Sequence, residues 1–193
     1  RSLRARNVMK ELFEAVRAGD LARVQTLVDA DPTLAIFAAS ILGETERLEP
    51  LLAGNRALVT AVSSDGWTPL HLAAFFGKVD AVRFLLNKGA SVTTRSTNDL
   101  RNTPLHAAAA GGHSQIVKIL LDHGADANAR QHSGWAPLHA AAQNGDVESA
   151  RALVAAGAEV SARADNNQRP LDLALTKARQ SMVDFLESNG ATL

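Results

Sequence analysis

Apolar side chains recur at helical spacing in four stretches of the chain, and a glycine follows each stretch. In the first, Val79, Val82, Leu85 and Leu86 would lie on one face of a helix that Gly89 ends. The other three stretches keep the same spacing and are Ile116, Val117, Leu120 and Leu121; Val147, Ala150, Leu153 and Val154; and Met182, Val183, Phe185 and Leu186. The pattern predicts four amphipathic helices of similar length.

A second motif precedes each of these helices. Thr68-Pro69-Leu70-His71 returns as Thr103-Pro104-Leu105-His106, as Ala136-Pro137-Leu138-His139 and, faintly, as Arg169-Pro170-Leu171-Asp172. Successive copies are 35, 33 and 33 residues apart. A threonine before proline can cap a helix, because its hydroxyl accepts a backbone N–H of the first turn and proline fits the first helical position. Each copy therefore predicts the start of a helix, and the residue seven positions after its leucine, usually glycine, predicts the end.

The chain is thus a repeat of helix, turn, helix and polar arm. The same spacing extends weakly upstream, where Leu12 with Gly19 and Ile36 with Gly43 keep the seven-residue interval. We predict one domain over residues 1–193, made of six repeats with the first two degenerate: 6–30, 31–62, 63–95, 96–130, 131–163 and 164–193. The last two repeats lack the capping threonine, a loss that typically costs about 1 kcal/mol, so they are expected to fray first.

The segment Gly66-Trp67-Thr68-Pro69-Leu70-His71-Leu72-Ala73-Ala74, with Gly77 and Gly89-Ala90 after it, resembles the ankyrin repeat. The resemblance is strong over residues 63–193 and weak over residues 12–62. It implies an all-α fold, an ankyrin-repeat α-solenoid of stacked helix-turn-helix units with β-hairpin arms. It also implies a concave face, formed by the arms and the first helices, that holds other proteins.

Composition narrows the class of function. The 193 residues carry 20 Lys+Arg against 20 Asp+Glu without a run of like charge, so the long-range field of a nucleic-acid binder is absent. No apolar run approaches the roughly 20 residues of a membrane-spanning helix, and zero Cys excludes disulfides and thiol catalysis. Only 4% of the residues are aromatic, which fits thin layers of helices rich in alanine and leucine.

No residues in the sequence make a convincing catalytic, metal or cofactor site. His71, His106 and His139 recur one repeat apart, which favours hydrogen bonds to nearby backbone over metal binding. The segment Ser63-Ser64-Asp65-Gly66 is typical of a turn and lacks a nucleophile motif, and Gly111-Gly112 ends a helix where a phosphate loop would open one. We therefore predict no catalytic residue, no metal and no cofactor.

The repeat leaves some positions free of core packing, and four of the eight aromatic residues lie there. Trp67 and Trp135 precede the helix-starting motif on the arms, and Phe75 and Phe76 precede the helix-ending glycine. Aromatic side chains at such positions favour a protein interface. The corresponding polar positions are Asn102, Gln143, Asn144 and Gln168. The alternative is local packing, of the Phe pair against the degenerate second repeat and of each Trp along its neighbouring arm.

Arginine recurs six residues after each repeat-closing glycine, as Arg95, Arg130 and Arg163, here called the arginine row. With Arg101, the row would line the arms and bind carboxylates of a partner. The alternative is pairing with acidic residues of the same surface, which are Asp126, Glu159 and Asp165. The arm that contains Arg101 has two extra residues, and its polar composition with a single leucine, Leu100, is typical of a recognition loop.

These features together predict a non-enzymatic module that binds a partner protein on its concave face. We expect a monomer without a nucleic-acid or membrane partner. One alternative is a targeting or regulatory fragment of a larger enzyme or effector, since the first residue is Arg1 and not methionine. A less favoured one is nucleic-acid binding through the arginine row. The cytoplasm is the favoured compartment, secretion or a periplasmic location stays open, and the Arg- and Ala-rich composition favours a bacterial gene.

Overall fold

The computed structural model describes residues 3–192, with side chains from residue 7 onward. The regular elements of this part are all helical, which confirms the predicted all-α class. The α-helices are α1 (Leu3–Ala18), α2 (Leu21–Ala30), α3 (Ala35–Leu42), α4 (Thr45–Gly54), α5 (Pro69–Phe75), α6 (Val79–Asn87), α7 (Pro104–Gly111), α8 (Ser114–Asp122), α9 (Pro137–Asn144), α10 (Val147–Ala155), α11 (Pro170–Thr176) and α12 (Gln180–Ser188), with 3-10 helices at Pro32–Leu34 and Arg56–Thr60. Within residues 3–192, no helix combines the length and the hydropathy that crossing a lipid bilayer requires.

Contacts divide the chain into two compact units. The first unit takes the residues up to 91 together with 96–98, and the second takes 92–95 together with the residues from 99 onward. In the first unit, α1 packs on α2, α3 on α4 and α5 on α6, while α3 also packs on α5. In the second unit, α7 packs on α8 and α11 on α12, while α9 packs on α7, α10 and α11. Each unit is therefore a stack of helix pairs, and the single domain over residues 1–193 stays a prediction.

The proline of each repeated motif begins a helix, as the sequence predicts, at Pro69, Pro104, Pro137 and Pro170. At the start of α5, the Thr68 hydroxyl accepts the backbone N–H of the third helical residue at 3.4 Å. The third helical residue also accepts the backbone N–H of the residue before the proline, both where that residue is Thr103 and where the threonine is missing. His139 Nδ1 accepts the Ala136 N–H at 3.1 Å, and Asp172 Oδ2 accepts the Arg169 N–H at 2.9 Å. These bonds satisfy the N–H of Ala136 and of Arg169, which is a different backbone group from the one that the Thr68 hydroxyl accepts. The early fraying of the last two repeats stays a prediction.

The core consists mainly of small and branched aliphatic side chains. The first helices of the last four pairs contribute fully buried alanines, which are Ala73, Ala74, Ala107, Ala108, Ala109, Ala141, Ala142 and Ala174. The second helices contribute one fully buried leucine each, which are Leu85, Leu120, Leu153 and Leu186. Burying a leucine contributes roughly 1.5–3 kcal/mol, whereas alanine contributes less but lets neighbouring helices approach closely. The low aromatic content therefore follows from thin layers.

The arms reverse direction through tight turns, but no β-strand forms in them within residues 3–192. In the arm before α5, the Ser63 N–H donates to the Trp67 carbonyl at 2.9 Å and closes the turn. Few main-chain bonds link one arm to the next, for example Thr97 N–H to Gly66 O at 2.9 Å in the first unit. A β-ladder needs a series of such bonds, so the predicted hairpin arms are present as turns without paired strands.

Replacing Ala178 with glycine is expected to raise the free energy of unfolding by about 0.5–1 kcal/mol. Ala178 has φ 52°, at the position where Gly112 and Gly145 have φ 73° and 74°. The left-handed conformation costs a residue with a Cβ roughly 1–2 kcal/mol, and the greater freedom of glycine in the unfolded chain offsets part of the gain. Equilibrium urea unfolding measures the change. Ala156→Gly is the matched control, because Ala156 ends α10 at φ −86°. Equal destabilisation by both changes would contradict the strain at Ala178.

Candidate partner-binding surface

Four aromatic side chains of the first unit, Phe13, Trp67, Phe75 and Phe76, form one continuous group, here called the aromatic cluster. The ring centroids of Phe13 and Phe76 are 5.7 Å apart, those of Phe75 and Phe76 5.4 Å, and those of Trp67 and Phe75 5.3 Å. The last two pairs meet edge to face, which is a favourable geometry for aromatic rings. All four side chains are half-buried, so part of each ring stays at the surface.

Three local features position the cluster. The turn before α5 holds Trp67, whose N–H donates to the Ser63 hydroxyl at 3.0 Å and whose carbonyl accepts the Ser63 N–H. Phe75 is the last residue of α5, and Phe76 caps its carboxyl end. Gly77 follows at φ 72° and turns the chain toward α6. A rigid helix end therefore presents two adjacent rings beside the tryptophan of the arm.

Phe13 is the member of the cluster that the sequence prediction missed. In the register of the repeat it stands one residue after Leu12, where the regular repeats have His71, His106 or His139. Those histidines are buried, whereas Phe13 is half-buried and its ring meets Phe76. Besides its contact with Phe75, the Phe76 ring therefore contacts the first repeat, and the degeneracy of that repeat is what hid this contact.

In the second unit, the predicted aromatic position on the arm is Trp135. Its ring stacks on His139, with centroids 5.6 Å apart and planes at 24°. Gln143 and Gln168 are half-buried, and Asn144 is exposed. The Asn144 amide donates to the carbonyls of Ala109 and Ala110 at 3.1 and 3.0 Å, so it also joins α9 to the end of α7.

The predicted surface position of Asn102 is corrected by the structure. Its exposed fraction is 5%, because the residue directly precedes the buried start of α7. A side chain this deeply buried offers almost no area to a partner. Asn102 is therefore part of the packing of its arm, and we leave it out of the proposed contact surface.

The arginine row contacts backbone carbonyls of the arms. Arg95 Nη1 donates to the carbonyls of Arg101 and Arg130 at 3.0 and 2.6 Å. Arg130 Nη1 repeats the arrangement and donates to the carbonyls of Gly134 and Arg163 at 2.9 and 2.8 Å.

The two other contacts of the row are to side chains. Arg130 Nη2 also pairs with Glu159 at 3.0 Å, which is one of the pairings weighed from the sequence. Arg163 Nη1 donates to the Asn167 side chain at 2.9 Å. The row thus joins each arm of the second unit to the next, and carboxylate binding by these three residues stays a prediction.

Two predicted residues of the longest arm are open to solvent. Leu100 is 49% exposed, which places it among the most exposed large apolar side chains of the described residues. Arg101 is also exposed and has φ 49°, in the left-handed region. These two side chains sit at the tip of the arm.

Two of the repeated histidines, His106 and His139, bind backbone groups, as their spacing predicts. His106 Nδ1 accepts the Thr103 N–H at 3.3 Å, and His106 Nε2 donates to the Trp135 carbonyl at 3.0 Å. The pKa of His106 is lowered to about 4, mainly by burial and also by the nearby Arg95, although the bond to the Trp135 carbonyl raises it. Burial likewise lowers the pKa of His139, whose Nε2 donates to the Gln168 carbonyl at 3.2 Å. Both rings are neutral near pH 7 and join their own helix start to the following arm.

The described residues contain no group of three or more His, Cys, Asp or Glu side chains arranged to hold a metal ion. Two carboxyl groups with a shifted pKa belong to structural bonds. Burial raises the pKa of Asp65, which accepts the Ser63 hydroxyl in the turn before α5, and bonding to Arg169 lowers the pKa of Asp172. What the surface offers a ligand is therefore aromatic area and hydrogen-bonding arms.

Within each unit, helix pairs that stack on one another and are joined by polar arms define a helical-repeat protein. The chain belongs to the ankyrin-repeat family, because the family model "Ankyrin repeats (3 copies)" matches residues 12–96, 93–164 and 132–193. Ankyrin repeats are generally protein–protein interaction modules and are typically non-enzymatic.

Two curated relatives give a measure of this similarity. The chain is 34% identical over 98 residues to "Ankyrin repeat and SAM domain-containing protein 6" of Rattus norvegicus. The matched region covers 46% of this chain and 11% of the rat protein. It is 31% identical over 74 residues to "Alpha-latrocrustotoxin-Lt1a" of Latrodectus tredecimguttatus, which covers 38% of this chain and 5% of the toxin. The chain thus matches a small part of each relative, and the similarity concerns the repeats.

Proposed function

We propose that this chain is a non-enzymatic module that binds another protein, and that the aromatic cluster is its main contact surface. The observation that carries the proposal is the continuous contact of four half-buried rings in a chain with eight aromatic residues. Aromatic residues, including Phe, are enriched in protein interfaces, since they bury a large area with few rotatable bonds.

The cluster is suited to a partner because its shape is fixed before binding. Trp67 is held by the turn, Phe75 and Phe76 by the end of α5, and Phe13 by α1. A surface that does not have to be ordered on binding keeps more of its contact energy as affinity. In the second unit, Trp135 and Gln143 are the predicted contact residues that remain half-buried, and we propose them as a secondary surface.

The remaining parts of the proposal follow from charge and composition. The formal net charge is zero, so the sequence has no excess of basic residues that would favour binding to nucleic acid or to an anionic membrane. We therefore propose a protein partner. A monomeric module and a cytoplasmic location complete the proposal. Contact on the concave face expected for this family is the proposed binding mode within each unit.

Replacing Phe76 or Trp67 with alanine is expected to weaken partner binding about tenfold or more, because a central aromatic residue of an interface often contributes about 2 kcal/mol or above. The measurement is quantitative affinity capture from a lysate of the source organism, with each protein immobilised at equal density. Phe84→Ala is the matched control, because Phe84 is also half-buried but lies on α6, where Lys88 covers its ring at 5.1 Å.

Circular dichroism establishes that each variant keeps its helical content before capture. The proposal requires a set of proteins retained by the wild type and by Phe84→Ala but lost from Phe76→Ala and Trp67→Ala. If all four proteins retain the same set in the same amounts, the aromatic cluster is not the contact surface.

A further inference from the structure

The tips of four arms share one backbone conformation, and one of them carries an unusual residue. The residue three positions before each helix-starting proline has a positive φ, which is 92° at Gly66, 49° at Arg101, 74° at Gly134 and 66° at Asn167. Glycine adopts this conformation freely and asparagine tolerates it, whereas a long side chain with a Cβ is disfavoured there. The chain therefore keeps arginine at a position where its other arms have glycine or asparagine.

The strained tip is held by bonds from both sides. The Arg101 carbonyl accepts Arg95 Nη1 at 3.0 Å, and the Leu100 carbonyl accepts the His132 N–H at 2.8 Å. These bonds hold the carbonyl of the peptide that joins Leu100 to Arg101 and the carbonyl of the peptide that follows it. The side chains of Leu100 and Arg101 consequently start from a rigid turn, which reduces the ordering required when they contact a ligand.

The Arg101 guanidinium is open to a ligand, unlike the guanidinium groups of the arginine row. Arg101 is exposed, and its side chain forms no hydrogen bond or ion pair with residues 7–192. Arg95, Arg130 and Arg163, by contrast, each donate to a carbonyl or a side chain of the arms. Leu100, beside Arg101, is 49% exposed. One apolar side chain and one available cation thus stand together.

We propose that the tip formed by Leu100 and Arg101 is a recognition contact for a protein segment that carries a carboxylate beside an apolar side chain. The proposal rests on the proposed function, protein binding, but not on the aromatic cluster. The planar guanidinium matches a carboxylate with two parallel hydrogen bonds, and Leu100 supplies apolar contact next to it. Unfavourable backbone conformations persist at binding sites when the side chain they position has a role there.

A polyphosphate chain fits the tip less well than a single carboxylate does. Asp99 is exposed and adjacent to Leu100, so the tip carries one negative charge beside its one available positive charge. Phosphates in series need several cations, and Asp99 would repel them. The charge balance therefore favours an acidic side chain of a protein over a nucleic acid.

The first test separates strain from recognition. Arg101→Gly is expected to raise the melting temperature by about 2 °C, since the turn then carries the residue that its conformation favours. Arg101→Gln keeps the Cβ and the strain but removes the charge, so its melting temperature should equal that of the wild type. A lower melting temperature for Arg101→Gly would show that arginine stabilises the tip, and it would overturn the proposal.

The second test measures recognition with a phage-displayed library of random 12-residue peptides, selected on the immobilised full chain. The expected pool is enriched in Asp or Glu next to an apolar residue. Its retention should fall about tenfold or more on both Arg101→Gly and Arg101→Gln, and partly on Arg101→Lys, which keeps the charge but not the planar fork. Equal retention on all variants, a pool without acidic enrichment, or no enriched pool would each overturn the proposal. Preferential binding of a single-stranded 12-nucleotide DNA through Arg101 would do so as well.

The same pool distinguishes this proposal from the aromatic surface. Retention that is lost on Arg101→Gln but kept on Phe76→Ala supports the tip and counts against the cluster as the site of those peptides. The opposite pattern supports the cluster and overturns the tip. Loss on both variants supports both surfaces, provided that each variant keeps the helical circular-dichroism signal of the wild type.

Discussion

Gly66→Ala is expected to lower the free energy of unfolding by about 3 kcal/mol, whereas Gly89→Ala lowers it by about 1 kcal/mol. The two glycines have nearly the same φ, 92° and 93°, so a side chain at either one meets the same backbone strain. Their surroundings differ. A Cβ at Gly66 would lie 2.5 Å from the backbone nitrogen of Asn98, whereas a Cβ at Gly89 has no atom within 4 Å.

The excess cost at Gly66 arises because the atom in the way belongs to the main chain. A flexible side chain could move aside, but shifting Asn98 disturbs the bond from the Thr97 N–H to the Gly66 carbonyl at 2.9 Å. It also disturbs the bond from the Asn98 amide to the Asp65 carbonyl at 3.0 Å. Equilibrium urea unfolding of both variants and the wild type measures the difference. An equal decrease in the free energy of unfolding at the two positions would show that the arm moves aside freely. The close approach of Gly66 to the Asn98 backbone would then not contribute to stability.

Acid is expected to destabilise the fold through His106 well before the carboxylates of the chain are neutralised. The pKa of His106 falls from 6.5 to about 4 on folding, because burial disfavours the charged ring. Between these values the unfolded chain binds a proton that the folded chain does not bind. Stability is therefore unaffected by this group above about pH 6.5, decreases as the pH falls toward 4, and changes no further through His106 below that. The full effect is about 3 kcal/mol, of which about 2 kcal/mol is lost between pH 7.5 and 5.

The pH dependence is measured by urea unfolding at half-unit steps from pH 7.5 to pH 5. His106→Gln provides the comparison, because an amide can donate and accept hydrogen bonds but does not titrate. Its stability curve should be flatter than that of the wild type by about 2 kcal/mol over this range. The pKa of His139 is also lowered by burial. The pH dependence of stability that remains in His106→Gln should therefore decrease further in the double variant with His139→Gln. Parallel curves for wild type and His106→Gln would contradict the burial of a neutral ring.

The parts of the fold that could be read from sequence are those governed by local backbone chemistry. Helices begin at Pro69, Pro104, Pro137 and Pro170 because proline fits the first turn wherever the motif occurs. Gly112 and Gly145 end α7 and α9 in the left-handed conformation for a similar reason. The buried histidines follow as well, since their ring atoms reach backbone groups at fixed offsets within and between repeats.

The candidate surface was less predictable, because its contacts join residues far apart in sequence. Phe13 meets Phe76 across 63 positions of the chain, and the degenerate first repeat gave no register that would place its ring there. Asn102 has a polar side chain of the kind usually found at the surface, but it is buried in its arm. The acceptors of Arg95 and Arg130 are main-chain carbonyls, which every residue possesses and no sequence pattern marks.

Because the acceptors are backbone carbonyls, the bonds of the arginine row survive substitution of the accepting residue but not of the donating arginine. The bond from Arg95 ends on the backbone of residue 130, and the bond from Arg130 ends on the backbone of residue 163. Changing the side chain at an accepting position leaves its carbonyl in place, so the bond it receives survives. Changing a donor removes the bond it makes, because no other side chain offers the same planar group of N–H donors. Substitution at residue 163 therefore leaves the bond from Arg130 intact, whereas substitution at residue 95 breaks the first link between the arms.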